Sequence, residues 1–124
     1  MKDKDDSFFI DRLKSLSYAL KGLRYLIKTE NSIKVQLFFS LLLTACGFLF
    51  HISTTEWIAQ IMCIALVLTA ESLNTAVEKI ANFIHPEYHE KIGIIKDVAA
   101  GAVAFAAIFA ILIGCIIYIP KIIV

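Results

Sequence analysis

Little in this sequence is built for covalent or metal cross-linking. Cysteine occurs three times, at Cys46, Cys63 and Cys115. Each lies inside an apolar run, where a thiol behaves as a small hydrophobe, and no two have metal-ligand spacing. A disulfide or thiolate-metal role is set aside. Net charge is only +1, and there is no basic, aromatic-laced surface of the kind nucleic acid needs, so no nucleic-acid partner is expected. No G-x-x-x-x-G-K stretch occurs, so any nucleotide is held without a loop of that type. The first thirty residues interleave apolar side chains with Lys and Arg, which excludes a secretory signal and leaves an uncleaved N-terminus.

What the chain has in excess is apolar residues, 59% of 124, gathered in blocks. Three runs stand out: Val35 to Ile52, Trp57 to Ala70 with a mixed extension to Ile84, and Val98 to Ile119. Spanning a bilayer takes about 20 residues. The first and third qualify directly, and the second qualifies if its polar end from Glu71 emerges at a membrane face. Lys2, Lys4, Arg12, Lys14, Lys21, Arg24, Lys28 and Lys34 precede the first run, whereas the connection "STTE" has no cation. The 79–96 connection carries Lys79, Lys91 and Lys96. The cation distribution therefore predicts a multi-pass protein of the plasma (inner) membrane with a cytoplasmic N-terminus and the "STTE" turn outside.

From Ser7 to Glu30, Phe9, Leu13, Leu16, Leu20, Leu23 and Ile27 recur at intervals of three and four, with cations mostly elsewhere around the wheel. The spacing predicts an amphipathic helix lying on the membrane, with Ser7 as its cap. Expected boundaries are a surface helix over 7–30 and spans over 34–53, 57–82 and 94–119, all in one membrane domain, 1–124. Ala102, Ala106, Ala110 and Gly114 form a small-residue stripe suited to helix packing. Three spans enclose little, so assembly into an oligomer is expected.

The informative stretch is "AESLNTAVEKI". Glu71, Asn74, Thr75 and Glu78 are spaced i, i+3, i+4, i+7 and share one helix face. Counted from Glu56, Glu71 lies roughly 22 Å and Glu78 roughly 33 Å along the axis at about 1.5 Å per residue. Against a hydrocarbon core of about 30 Å, Glu71 falls just inside the boundary and Glu78 just beyond it. A carboxylate among hydrated headgroups suits Mg²⁺, whose usual ligands are one or two carboxylates plus phosphate oxygens. One still in the apolar zone is incompletely hydrated, which favours proton uptake at the depth of a lipid hydroxyl. The segment "HPEYHE" offers His85 and His89 with Glu87 and Glu90, and Lys96 with Asp97 opens the last span; that pair can bond internally or meet a nucleotide.

The elements "ALKGLRYLIKTE", "AESLNTAVEKI", "PEYHEKIGIIKDVAAGAV" and "IIYIPKI" together resemble the prokaryotic diacylglycerol kinase family, which includes undecaprenol kinases, over roughly residues 9 to 123. The resemblance implies transfer of the ATP γ-phosphoryl group to a lipid hydroxyl by a homotrimer of three-span subunits with a surface helix. It implies Glu71 as catalytic base with Asn74 beside it, and Glu30 and Glu78 as magnesium ligands. Tyr18, Glu87, Tyr88, His89, Lys96 and Asp97 resemble ATP-contacting positions, and Ser32, Gln36, Trp57 and Ala100 lipid-contacting ones. Asn82 stands where many relatives have aspartate, Asp11 where some have arginine, and Gln36 where an acid or histidine is common. The expectation is an all-α integral membrane lipid kinase using ATP and Mg²⁺ among membrane lipids. The reading set against it is a small oligomeric proton or cation transporter built on Glu71.

Overall fold

The computed structural model describes residues 7–123; Lys2, Lys4 and the other residues of 1–6, with residue 124, lie outside the described residues. Four helices follow in order, α1 Phe8–Thr29, α2 Asn31–Leu49, α3 Thr54–Ile84 and α4 Glu90–Ile122. The last three are each long and apolar enough to cross a membrane.

Ser7 caps α1, its hydroxyl accepting the Ile10 N–H at 3.3 Å. No residue of α1 is buried, and Phe9, Leu13, Leu16, Leu20 and Leu23 all stay exposed. An unpacked apolar stripe opposite cations is the pattern of a helix that lies on a bilayer. Only Glu30 separates α1 from α2, its backbone extended at φ −97° and ψ 113°. Its carbonyl already accepts the Lys34 N–H at 3.1 Å, so α2 begins at Asn31, three residues ahead of the expected span.

The other boundaries shift for equally local reasons. Ser53 and Glu56 form a reciprocal capping box at 3.2 and 2.9 Å, which starts α3 at Thr54 and ends α2 before the 50–53 turn. His89 caps α4, its Nδ1 accepting the Lys91 N–H at 3.1 Å, so helix begins at Glu90. At the far end α4 runs through Pro120 to Ile122, because a proline in the last turn costs one hydrogen bond only.

α3 and α4 form a long antiparallel hairpin in one register from end to end, pairing Asn82 with Lys96, Gln60 with Tyr118 and Glu56 with Lys121. α2 lies antiparallel on α3, with Gln36 at Glu71 and Leu43 at Gln60. Near the turn these two helices close until a Cβ on Gly47 would stand 2.5 Å from the Trp57 ring, so that position requires glycine. The small-residue stripe on α4 is not all spent on such contact: a Cβ on Gly114 would meet nothing within 4 Å.

The interior is the reverse of a soluble core. Buried apolar residues are Ile33, Ile52, Ala81 and Ile117, and matching them are the buried polar residues Gln60, Glu71, Asn74 and Thr75. Large apolar side chains cover the outside, among them Leu41, Phe48, Leu73, Phe105 and Ile116. Apolar surface outward and polar groups along the seam suit a bilayer, where buried polar residues mark function or helix pairing.

Candidate active site

The seam between α2, α3 and α4 collects polar residues at two levels. At the level of Glu71 the helical period turns Glu71, Asn74 and Thr75 inward together, each at most 9% exposed. α2 supplies the partner: Gln36 Nε2 donates to Glu71 Oε2 at 3.4 Å. Asn74 Nδ2 donates to Glu78 Oε1 at 3.3 Å, one turn on. Both amides are then left with a problem, since Gln36 Oε1 and Asn74 Oδ1 are buried and have no protein donor. Buried acceptors ordinarily find a donor, and one without a protein donor asks for a ligand or water. From Gln36 an apolar cavity of about 250 Å³ runs along Phe39, Ser40 and Leu43 of α2, between Ile64, Val67 and Leu68 of α3 and Ile113 and Ile117 of α4.

Glu78 is exposed, past the buried seam. Glu30, at the α1–α2 elbow, reaches α3 through Lys79, whose Nζ lies 3.5 Å from its Oε1. Lys96 donates to Asn82 Oδ1 at 2.6 Å, which ties the start of α4 to the end of α3, while Asp97 is exposed. The hairpin register sets Ala100 across from Glu78. In the 85–89 turn, His85 Nδ1 bonds the Glu87 carbonyl at 2.7 Å, and the His85 and His89 rings stand 5.4 Å apart. Tyr88 is 87% exposed, its ring near Gly93.

Two expected residues lie elsewhere. Tyr18 is an exposed residue of α1 with Lys21 over its ring at 5.5 Å, twelve residues and roughly 18 Å of helix from Glu30. Trp57 is at the opposite end of α3, about 21 Å from Glu71 along the axis, packed on Phe48 and Gly47. Ser32, exposed on the first turn of α2, stays near the elbow.

Among the described residues no three His, Cys, Asp or Glu side chains gather into a metal cage. Glu30 and Glu78 are separate, accessible carboxylates on facing elements. That donor set fits a hard cation whose shell is completed by phosphate oxygens and water, the habit of Mg²⁺.

Sequence reasoning used Lys79 only as a cation that sets topology and passed over Tyr25, whose ring lies under the Lys79 ammonium at 5.1 Å. It also passed over the second polar level, where Gln60 Nε2 donates to the Leu43 carbonyl at 3.0 Å and Tyr118 donates to Gln60 Oε1. A glutamine inside an apolar run was the available signal for the latter.

The family model for prokaryotic diacylglycerol kinase matches residues 17–118. An undecaprenol kinase of Bacillus subtilis is 32% identical over 122 residues, 98% of this chain and 99% of that protein. A diacylglycerol kinase of Synechocystis is 32% identical over 109 residues, 87% of this chain and 62% of that protein. A diacylglycerol kinase of Escherichia coli is 30% identical over 105 residues, 85% of this chain and 86% of that protein. A family match across most of the length, on a helical chain with three spanning helices and a buried acid between them, leaves one assignment: the chain belongs to the prokaryotic diacylglycerol kinase family of small membrane kinases.

Proposed function

We propose that this protein phosphorylates the hydroxyl of a membrane lipid, diacylglycerol or undecaprenol, with ATP as donor and Mg²⁺ as cofactor, at the Glu71 seam. The observation that carries the reading is a carboxylate buried inside a spanning helix next to two amide oxygens that have no protein donor. A lipid hydroxyl entering along the apolar cavity brings a donor to that place and leaves its tail in apolar surroundings.

In this reading Glu71 accepts the hydroxyl proton as the lipid oxygen attacks the γ-phosphorus. The new oxygen–phosphorus bond forms as the bridging bond to ADP breaks, and the proton remains on Glu71. Gln36, through its 3.4 Å hydrogen bond, fixes the carboxylate's orientation toward the substrate. Asn74 holds Glu78 through its own hydrogen bond, from the same helix face as Glu71. Bound Mg²⁺ supplies charge neutralisation for the phosphate oxygens, with Glu30 and Glu78 as its protein ligands. Lys96 and Asp97, with Glu87, Tyr88 and His89, surround the nucleotide. Ser32, Gln36 and Ala100 contact the lipid.

The same reading places the N-terminus and the 85–89 turn in the cytoplasm, where ATP is, and assembles three chains into a homotrimer. Purified protein is assayed for transfer of labelled γ-phosphate from ATP to diacylglycerol, undecaprenol and ceramide side by side. A phosphorylated product from either of the first two supports the reading and names the substrate; ADP release that no lipid stimulates overturns it.

A further inference from the structure

Two lysine–glutamate pairs tie this fold together, and they are built differently. Lys121 holds Glu56 at 2.8 Å, both side chains about a quarter exposed, and also donates to the Ile117 carbonyl at 3.2 Å. Lys79 stands 3.5 Å from Glu30, with its own side chain 52% exposed, and it faces the Tyr25 ring at 5.1 Å. The first ammonium has fixed partners on all sides. The second has a loose carboxylate partner and a second resting place that needs no carboxylate, since an aromatic face attracts a cation.

The position of that loose pair matters. Glu30 is the single non-helical residue between α1 and α2, and Lys79 comes from α3 directly after Glu78. The ammonium thus sits on one of the two carboxylates that the proposed function gives to the metal, delivered by the helix that carries the other. A carboxylate oxygen that ligates a divalent cation must give up a bridging ammonium, and the dication, with twice the charge at shorter range, wins that exchange.

We propose that Lys79 is a built-in counter-ion for Glu30 that competes with the divalent cation. In the metal-free protein it pins the α1–α2 elbow to α3; when metal and nucleotide bind, it releases Glu30 and stays on the Tyr25 ring. Lys79 is on this view a positioning residue that sets metal affinity, and the inference rests on the reading of Glu30 as a ligand.

The test is binding of Mn²⁺, followed by its paramagnetic resonance signal, to purified full-length protein with a non-hydrolysable ATP analogue, so that no turnover enters. Lys79→Met is expected to tighten Mn²⁺ by about threefold at low salt, the scale of a partly exposed ion pair. Lys79→Gln should do the same, and Lys79→Arg should stay near wild type. Lys34→Met removes a charge one turn from Glu30 and should change affinity by less than about 1.5-fold, as expected of a screened, non-contacting charge. In a Glu30→Gln background the effect of Lys79→Met should vanish. Unchanged or weaker Mn²⁺ binding in both neutral Lys79 variants overturns the proposal, as does equal tightening by Lys34→Met or a gain that survives Glu30→Gln. If Glu30→Gln alone leaves Mn²⁺ affinity at the wild-type value, the ligand reading itself fails, a result distinct from one in which Glu30→Gln weakens binding and the Lys79 variants do nothing.

Discussion

The two ends of α3 treat polar groups in opposite ways. At the 53–60 end every polar side chain just described has a protein partner: Ser53 and Glu56 bond each other, Glu56 holds Lys121, and Gln60 both donates to Leu43 and accepts from Tyr118. At the 71–82 end Lys79 and Asn82 have partners in Glu30 and Lys96, but Glu71 has one long hydrogen bond, Gln36 and Asn74 keep acceptors without protein donors, and Glu78 is exposed apart from its bond from Asn74. Among the described residues the one other such buried acceptor is on α1, at Asp11. That is the difference expected between a helix end that only has to stand and one that receives a ligand, and it supports the proposed reading. A structural crossing closes its hydrogen bonds within the chain; a binding site leaves them for the ligand.

The sharpest way to break that contrast is Glu71→Gln. If Glu71 is the base, the lipid-phosphorylation rate falls by a factor on the order of 10² to 10⁴ while folding and Mg-ATP binding persist. Wild-type turnover rejects the assignment, and loss of ATP binding equal to the loss of rate makes Glu71 a ligand. An ion flux that disappears while phosphorylation continues instead favours the transporter reading.

If Glu78 is a magnesium ligand, a smaller effect is expected from Glu78→Gln, because phosphate oxygens and water would supply much of the magnesium shell. Turnover should fall at ordinary Mg²⁺ and recover in part at high Mg²⁺; unchanged activity at ordinary Mg²⁺ removes Glu78 from the metal site.

The opposite end should answer in stability alone. Gly47→Ala drives a methyl group into the Trp57 ring, at 2.5 Å from the nearest ring atom, and should cost about 1–3 kcal/mol of stability as overpacking does. Thermal unfolding in detergent checks the loss, and the rate per folded molecule should stay at the wild-type value. Smallest of the four, Tyr118→Phe leaves Gln60 Oε1 without its donor and should lower stability by about 0.5–1.5 kcal/mol. A large fall in turnover from either change would show that the 53–60 end is coupled to the site and the contrast is false.

The helices and the composition of their faces were legible in the residue order. Hydrophobic runs and the 3.6-residue period are local properties, so the amphipathic Phe8–Thr29 helix and the common face of Glu71, Asn74 and Thr75 follow from spacing alone. Boundaries were less legible, although their causes are also local: the Ser53–Glu56 box and the His89 cap move α3 and α4 outward from their apolar runs. The partners were set by packing. Gln36 meets Glu71 across 35 residues, Lys121 meets Glu56 across 65, and Lys96 reaches back to Asn82. A helical period states which residues share a face, but it does not state which face meets it or in what register. That is fixed when α2, α3 and α4 pack, by the close approach at Gly47 and the hairpin register that runs from Lys96 to Lys121. Glu30 and Lys79, 49 positions apart, become neighbours for the same reason: one residue of extended backbone turns α1 away from α2, and α3 passes the elbow it leaves.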